Sequence, residues 1–128
     1  MDSQLPDGIS LQVRINGNVV FQSAGRWLYP IFDLEESLQT HALDLSKALI
    51  RDKVIGKAAA FLLIRLNAGR IHGDLMSERA LSVLEITTIP FSFGKCVPRI
   101  DCQTEEILAD INDSEIAYQI LCKRAKRC

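Results

Sequence analysis

Apolar and polar residues alternate along Leu11-Gln12-Val13-Arg14-Ile15, the mark of a strand with one buried face. Asn16-Gly17-Asn18 follows as a hairpin turn, and Val19-Val20-Phe21 forms the return strand. The chain therefore opens with an antiparallel hairpin at a sheet edge. Ser23-Ala24-Gly25-Arg26 ends the second strand. The Pro-interrupted apolar stretch Trp27 to Phe32 docks against the core, and Asp33 to about Thr40 reads as a short helix. Leu43, Leu45, Ala48, Leu49 and Ile50 form an apolar approach to Asp52.

Asp52 then serves as N-cap of a helix from Lys53 to about Asn67. Val54, Ile55, Ala58, Ala59, Phe61, Leu62, Leu63 and Leu66 leave it little polar face, so it is covered on more than one side. Ala68-Gly69 is its stop signal. Arg70 to Met76 reads as a strand. Ser77-Glu78 caps a helix carrying Ala80, Leu81, Val83, Leu84 and Ile86, and Thr87 to Val97 is a further strand. Asp101 or Thr104 caps a helix through Ile107, Leu108 and Ile111; Asn112-Asp113-Ser114 interrupts it, and Ile116, Ala117, Ile120 and Leu121 line the last helix. The predicted order is β-β-α-α-β-α-β-α, a hairpin followed by α/β units.

The 128 residues fit one domain, with residues 1–9 expected as a flexible tail. Hydrophobic residues make up 48% and charged residues 24%, a net charge of −1 that exerts no pull on nucleic acid or an acidic membrane. The longest apolar run, Ala58 to Ile64, is too short to span a bilayer. The first residues lack the basic-then-apolar pattern of a secretory signal. A cytoplasmic protein is expected, and with it four free thiols at Cys96, Cys102, Cys122 and Cys128, no two spaced as C-x-x-C.

Candidate chemistry is sparse. Neither His41 nor His72 belongs to an H-x-E, Glu105 stands where a C-x-x-C would need its second Cys, and phosphate-binding glycine loops are absent. No metal and no cofactor is predicted. Two lysines four residues apart at a helix start, Lys53 and Lys57, carry a local electrostatic penalty that invites another role. Asp52, Lys53 and Lys57 could hold an anion there, with Ser23, Gly25 and Arg26 as the opposite lip. Gly56 inside that helix implies close packing or close approach of a ligand. Cys102, ahead of a helix, is the best candidate thiol, and Glu105 decorates the same turn.

Asp52 to Ala60 (D-K-V-I-G-K-A-A-A), Ser77-Glu78-Arg79-Ala80-Leu81 and Cys102-Gln103-Thr104-Glu105 together resemble the DUF1893 family, over roughly residues 11 to 121. Gln103 stands where that family usually has Pro. The resemblance implies a cytidine-deaminase-like fold, a mixed sheet in a three-layer α/β/α arrangement, without the zinc ligands. It also implies that the helix starts at Asp52 to Lys57 and at Cys102 to Glu105 meet in one cleft. Three functions compete: binding of a small anionic or nucleotide-like ligand without zinc, a non-zinc enzyme using Cys102 or Glu105, and a structural or regulatory scaffold. A homo-oligomer is compatible with each.

Overall fold

A computed structural model describes residues 5–128. The hairpin forms as its pattern requires, with β1 (Leu11–Ile15) antiparallel to β2 (Asn18–Ser23). Asn16 and Gly17 both take positive φ, 53° and 80°, which is what a two-residue hairpin turn with the right twist demands. Val13 pairs with Phe21 but Arg14 with Val19, so Val20 is an extra residue bulged out of the ladder.

α1 (Tyr29–Ser37) begins four residues earlier than the pattern suggested. Pro30 lies in its first turn, where a helix needs no backbone donor, so the proline starts the helix rather than interrupting the segment.

The largest departure from expectation is β3 (Ala48–Ile55). Asp52 and Lys53 are strand residues, not a cap and a first turn. β3 is the centre of the five-stranded sheet β2-β1-β3-β4-β5, antiparallel to β1 and parallel to β4 (Arg70–Ser77), which is parallel to β5 (Phe91–Val97). A central strand is buried on both faces and reads as a continuous apolar run, which periodicity cannot separate from a helix. α2 (Lys57–Arg65) starts after β3, with Gly56 as its N-cap. It stops at Asn67, whose φ of 61° is the left-handed turn assigned above to Gly69.

Seven consecutive α2 residues, Lys57 to Leu63, are buried. α1, α3 (Glu78–Leu84), α4 (Gln103–Ile107) and α5 (Ser114–Ala125) all pack against it, which accounts for its lack of a polar face. Ser77 caps α3 as expected, its side chain accepting from the Ala80 N–H. Asp113 caps α5 through the Glu115 and Ile116 N–H groups. Cys102, rather than Asp101 or Thr104, occupies the N-cap position of α4, without a side-chain capping bond. The whole is an α/β fold with a mixed sheet, consistent with three layers.

The expectation of four free thiols fails at the C-terminal end. Cys122 and Cys128 form a disulfide, with Cα atoms 5.1 Å apart; Cys96 and Cys102 are free. Lys126 turns into the left-handed region (φ 58°) and reverses the chain after α5, bringing Cys128 back over its last turn. Arg127 is thereby laid on α1, donating to Asp33 (2.7 Å) and Glu36 (3.1 Å). No described helix is long and apolar enough to cross a membrane. Of the tail expected at 1–9, residues 1–4 lie outside the described residues, and Pro6 to Ile9 form a turn closed by the Ile9 N–H on the Pro6 carbonyl.

Candidate ligand-binding site

Parallel strands end where their following helices begin, and in open α/β sheets such ends are where ligands bind. Four segments meet at the end of β3. They are the turn before β1 (Gly8 to Ser10), the link from β2 into α1 (Ala24 to Leu28), the β3–α2 junction (Asp52 to Ala59) and the approach to α4 (Ile100 to Glu105). Between them lies a pocket of about 420 Å³, in the range that holds a small molecule.

Gly25, Arg26, Asp52, Lys53, Cys102 and Glu105, all singled out in the sequence, line this pocket. Ser23 stands behind its lip: its hydroxyl accepts from the Gly25 N–H (3.0 Å), and the Ser10 hydroxyl donates to the Ser23 and Gly25 carbonyls. Lys57 is not a lining residue here. Because Lys53 is in a strand and Lys57 in a helix, the two never share a face, and the Lys57 side chain opens onto a different cavity. The expected Lys53–Lys57 anion clamp is not built.

Asp52 is the polar centre of the pocket. Its carboxyl pKa is raised to about 7 by desolvation, a shift partly opposed by the Val54 and Lys53 N–H groups and reinforced by the negative charge of Asp74. A carboxyl near pH 7 can serve as hydrogen-bond donor, acceptor, acid or base. Lys53 and Arg26 are exposed at the rim and supply positive charge.

Glu105 proves to be the cap that Gly56 cannot provide. It is 1% exposed. One oxygen accepts from the Lys57 N–H (2.6 Å) and the other from the Ile100 N–H (3.0 Å). A Cβ on residue 56 would stand 2.8 Å from the first of those oxygens, so the close approach inferred at Gly56 is made by a carboxylate of the chain itself. The anion-binding capacity of the α2 start is thus already in use. The Cys102 thiol lies 3.1 Å from the Thr104 hydroxyl, on the pocket wall.

Trp27 is the site residue that pattern reading sent to the core. It is 37% exposed at the pocket mouth, edge-on to Tyr29 with ring centroids 5.2 Å apart. Its φ of 56° is a strained backbone for a bulky residue, and such strain concentrates at ligand clamps. Only the Gly25-Arg26-Trp27 sequence hinted at it: a lone tryptophan at the end of a loop ahead of a proline-started helix.

The histidines stand elsewhere. His72 Nδ1 is 2.7 Å from the Ser92 hydroxyl and Nε2 is 3.5 Å from Asp74, which also pairs with Arg51. Desolvation first and Arg51 second hold the His72 pKa below its usual value, against the pull of Asp74. His41 meets the Thr40 hydroxyl. Among the described residues no three His, Cys, Asp or Glu side chains gather as a metal-holding group.

Comparison with known proteins places the chain. The domain of unknown function DUF1893 (TM1506) matches residues 7–124. Among solved structures the chain is similar to the crystal structure of a DUF1893 family protein from Thermotoga maritima. The TM-score is 0.82 and the identity 25%, over 91% of this chain and 80% of that one. No curated protein matches. The chain belongs to the DUF1893 family.

Proposed function

We propose that this DUF1893 protein binds a small, planar, anionic molecule of nucleotide-like chemistry in the pocket at the end of β3. One observation carries the reading. A titratable acid (Asp52), an aromatic residue on strained backbone (Trp27) and two rim cations (Lys53 and Arg26) converge on a single cavity of about 420 Å³. A flat heteroaromatic ring stacks on Trp27, as bases do on aromatic side chains. Asp52 hydrogen-bonds the ring edge, and Lys53 and Arg26 face the negative group. We further read the scaffold as cytidine-deaminase-like, in support of which the hairpin and the parallel strands follow the order β2-β1-β3-β4-β5 with the pocket between two helix starts.

Calorimetric titration with nucleosides and nucleotides tests the proposal, since a ligand of the native state also raises its melting temperature. Nucleotides are expected to bind more tightly than their nucleosides. Lys53→Ala with Arg26→Ala should abolish that difference, and Trp27→Ala should weaken both. Equal affinity of wild type and the Trp27→Ala protein would sink the proposal. The acid of Asp52 favours a second reading, an enzyme that uses this carboxyl as general acid or base on the bound ring. Under it Asp52→Asn keeps ligand affinity within a few fold and removes turnover; under pure binding there is no turnover to remove. Glu105, with both oxygens on backbone donors, is held as a cap in either case.

A further inference from the structure

Lys57, which the first pocket does not use, opens onto a second cavity of about 500 Å³, whose walls include Phe61, Arg79, Val83, Ile86 and Asn112. The residue is only 5% exposed, and its Nζ lies 5.9 Å from the Phe61 ring centre. Nζ donates to the Ala109 carbonyl (3.1 Å) and to Asn112 Oδ1 (3.4 Å). Both acceptors are neutral, and no ion pair with a carboxylate forms among the described residues. Those two bonds leave one bonding direction of Nζ unused by the described residues, beside the cavity that Lys57 lines.

We propose that Lys57 is a carbonyl-capturing amine and that the second cavity takes a small aldehyde or ketone bearing an anionic group. Nζ adds to the carbonyl carbon to give a carbinolamine. One amine proton moves to the carbonyl oxygen as the carbinolamine forms, and the other leaves with that hydroxyl as water to give the imine; no oxidant or reductant takes part. Arg79, on the cavity wall, receives the anionic group; its Nη1 is 2.8 Å from the Glu105 carbonyl and 3.4 Å from Glu106. Ile86, 86% exposed, and Val83 and Phe61 present apolar surface for the rest of the molecule. The electrostatics agree with the geometry. Desolvation first and the Arg79 charge second lower the Lys57 pKa, against the opposing pull of Asp110 and Glu105. Burial beside a second cation is a recognised way to make a lysine nucleophilic near neutral pH.

The experiment is site mapping on the intact chain. The protein is incubated with limiting pyridoxal 5′-phosphate, an aldehyde carrying a phosphate. Any imine is reduced with borohydride and the modified lysines are found by peptide mass spectrometry. Lys57 should be labelled at least fivefold more than each of Lys47, Lys53, Lys95, Lys123 and Lys126. Label spread over the other lysines with Lys57 no higher than they are overturns the proposal. Because the wild-type protein gives this answer, it does not depend on a variant folding. Arg79→Met, compared with wild type for labelling by pyridoxal phosphate and by butyraldehyde, tests the anion. Selectivity for the phosphate-bearing aldehyde should fall to that for butyraldehyde; unchanged selectivity removes Arg79 from the site.

Discussion

The two sides of the β3–α2 junction make opposite use of the same physics. On one side Asp52, at the end of a central strand, faces a pocket whose low polarity pushes its carboxyl up to about 7. On the other, Lys57 at the first turn of α2 faces a second cavity that pushes its amine down. Desolvation is the first cause in both, and both groups move toward neutrality. Between them Gly56 turns the chain and Glu105 closes the helix start. A five-residue shift along the sequence thus exchanges an acid site for an amine site, with a capped helix end as the partition.

The comparison is broken most strongly at Asp52. The native carboxyl binds its proton up to about pH 7 while the unfolded one releases it near 3.8, so the native state holds more protons in that window. Stability therefore falls as pH rises from about 4 to about 7 and is level above it. Asp52→Asn should remove the slope and leave the variant more stable at pH 8, by up to about 4 kcal/mol. Urea melts from pH 4 to 8 measure this, and parallel slopes in both proteins would contradict it.

Removing the partition comes next. Glu105→Ala leaves the buried Lys57 N–H and the half-buried Ile100 N–H without acceptors, and should cost about 3 kcal/mol, lowering Tm by roughly 10 °C. Lys57→Met should cost only about 1 kcal/mol, because the lost hydrogen bonds are offset by relief of a buried amine. The linkage runs opposite to that of Asp52. The unfolded lysine holds its proton up to about 10.5 and the native one releases it earlier, so native Lys57 makes stability rise with alkaline pH short of that value. The Met variant should lack this rise. Lys53→Met, at an exposed position, should change stability by less than about 0.5 kcal/mol and leave the pH profile unaltered. An effect at Lys53 as large as that at Lys57 would erase the distinction between the two sides.

Where local chemistry and global fold agree, the sequence was legible. Asn16-Gly17 could only turn a hairpin, Ser77 could only start a helix, and the apolar length of α2 demanded cover on several sides. β3 was hidden by Arg51-Asp52-Lys53, three charges in a row at the middle of a sheet. Each is tolerated for a reason visible only in three dimensions. Arg51 pairs with Asp74 (3.4 Å), Asp52 is pushed toward its neutral form, and Lys53 reaches solvent. Two of the three, Asp52 and Lys53, line the pocket. The pocket residues were therefore found for a partly mistaken reason, as a helix start rather than a strand end. Trp27 and the Cys122–Cys128 bridge were missed because each depends on one residue in the left-handed region, Trp27 itself and Lys126.

The extra residue in β2 has a consequence for how copies of this chain behave in crowded solution. β2 is an outer strand of the sheet, and Val19 (47% exposed) and Val20 (37% exposed) give it the composition of a sticky edge. A flat edge of that kind templates strand addition and, through it, fibrous aggregation. The bulge at Val20 interrupts the even spacing of donors and acceptors that an incoming strand would have to match. Deleting Val20 should restore the even ladder and with it the template, an outcome that a faster rise of thioflavin fluorescence in the deletion variant would report.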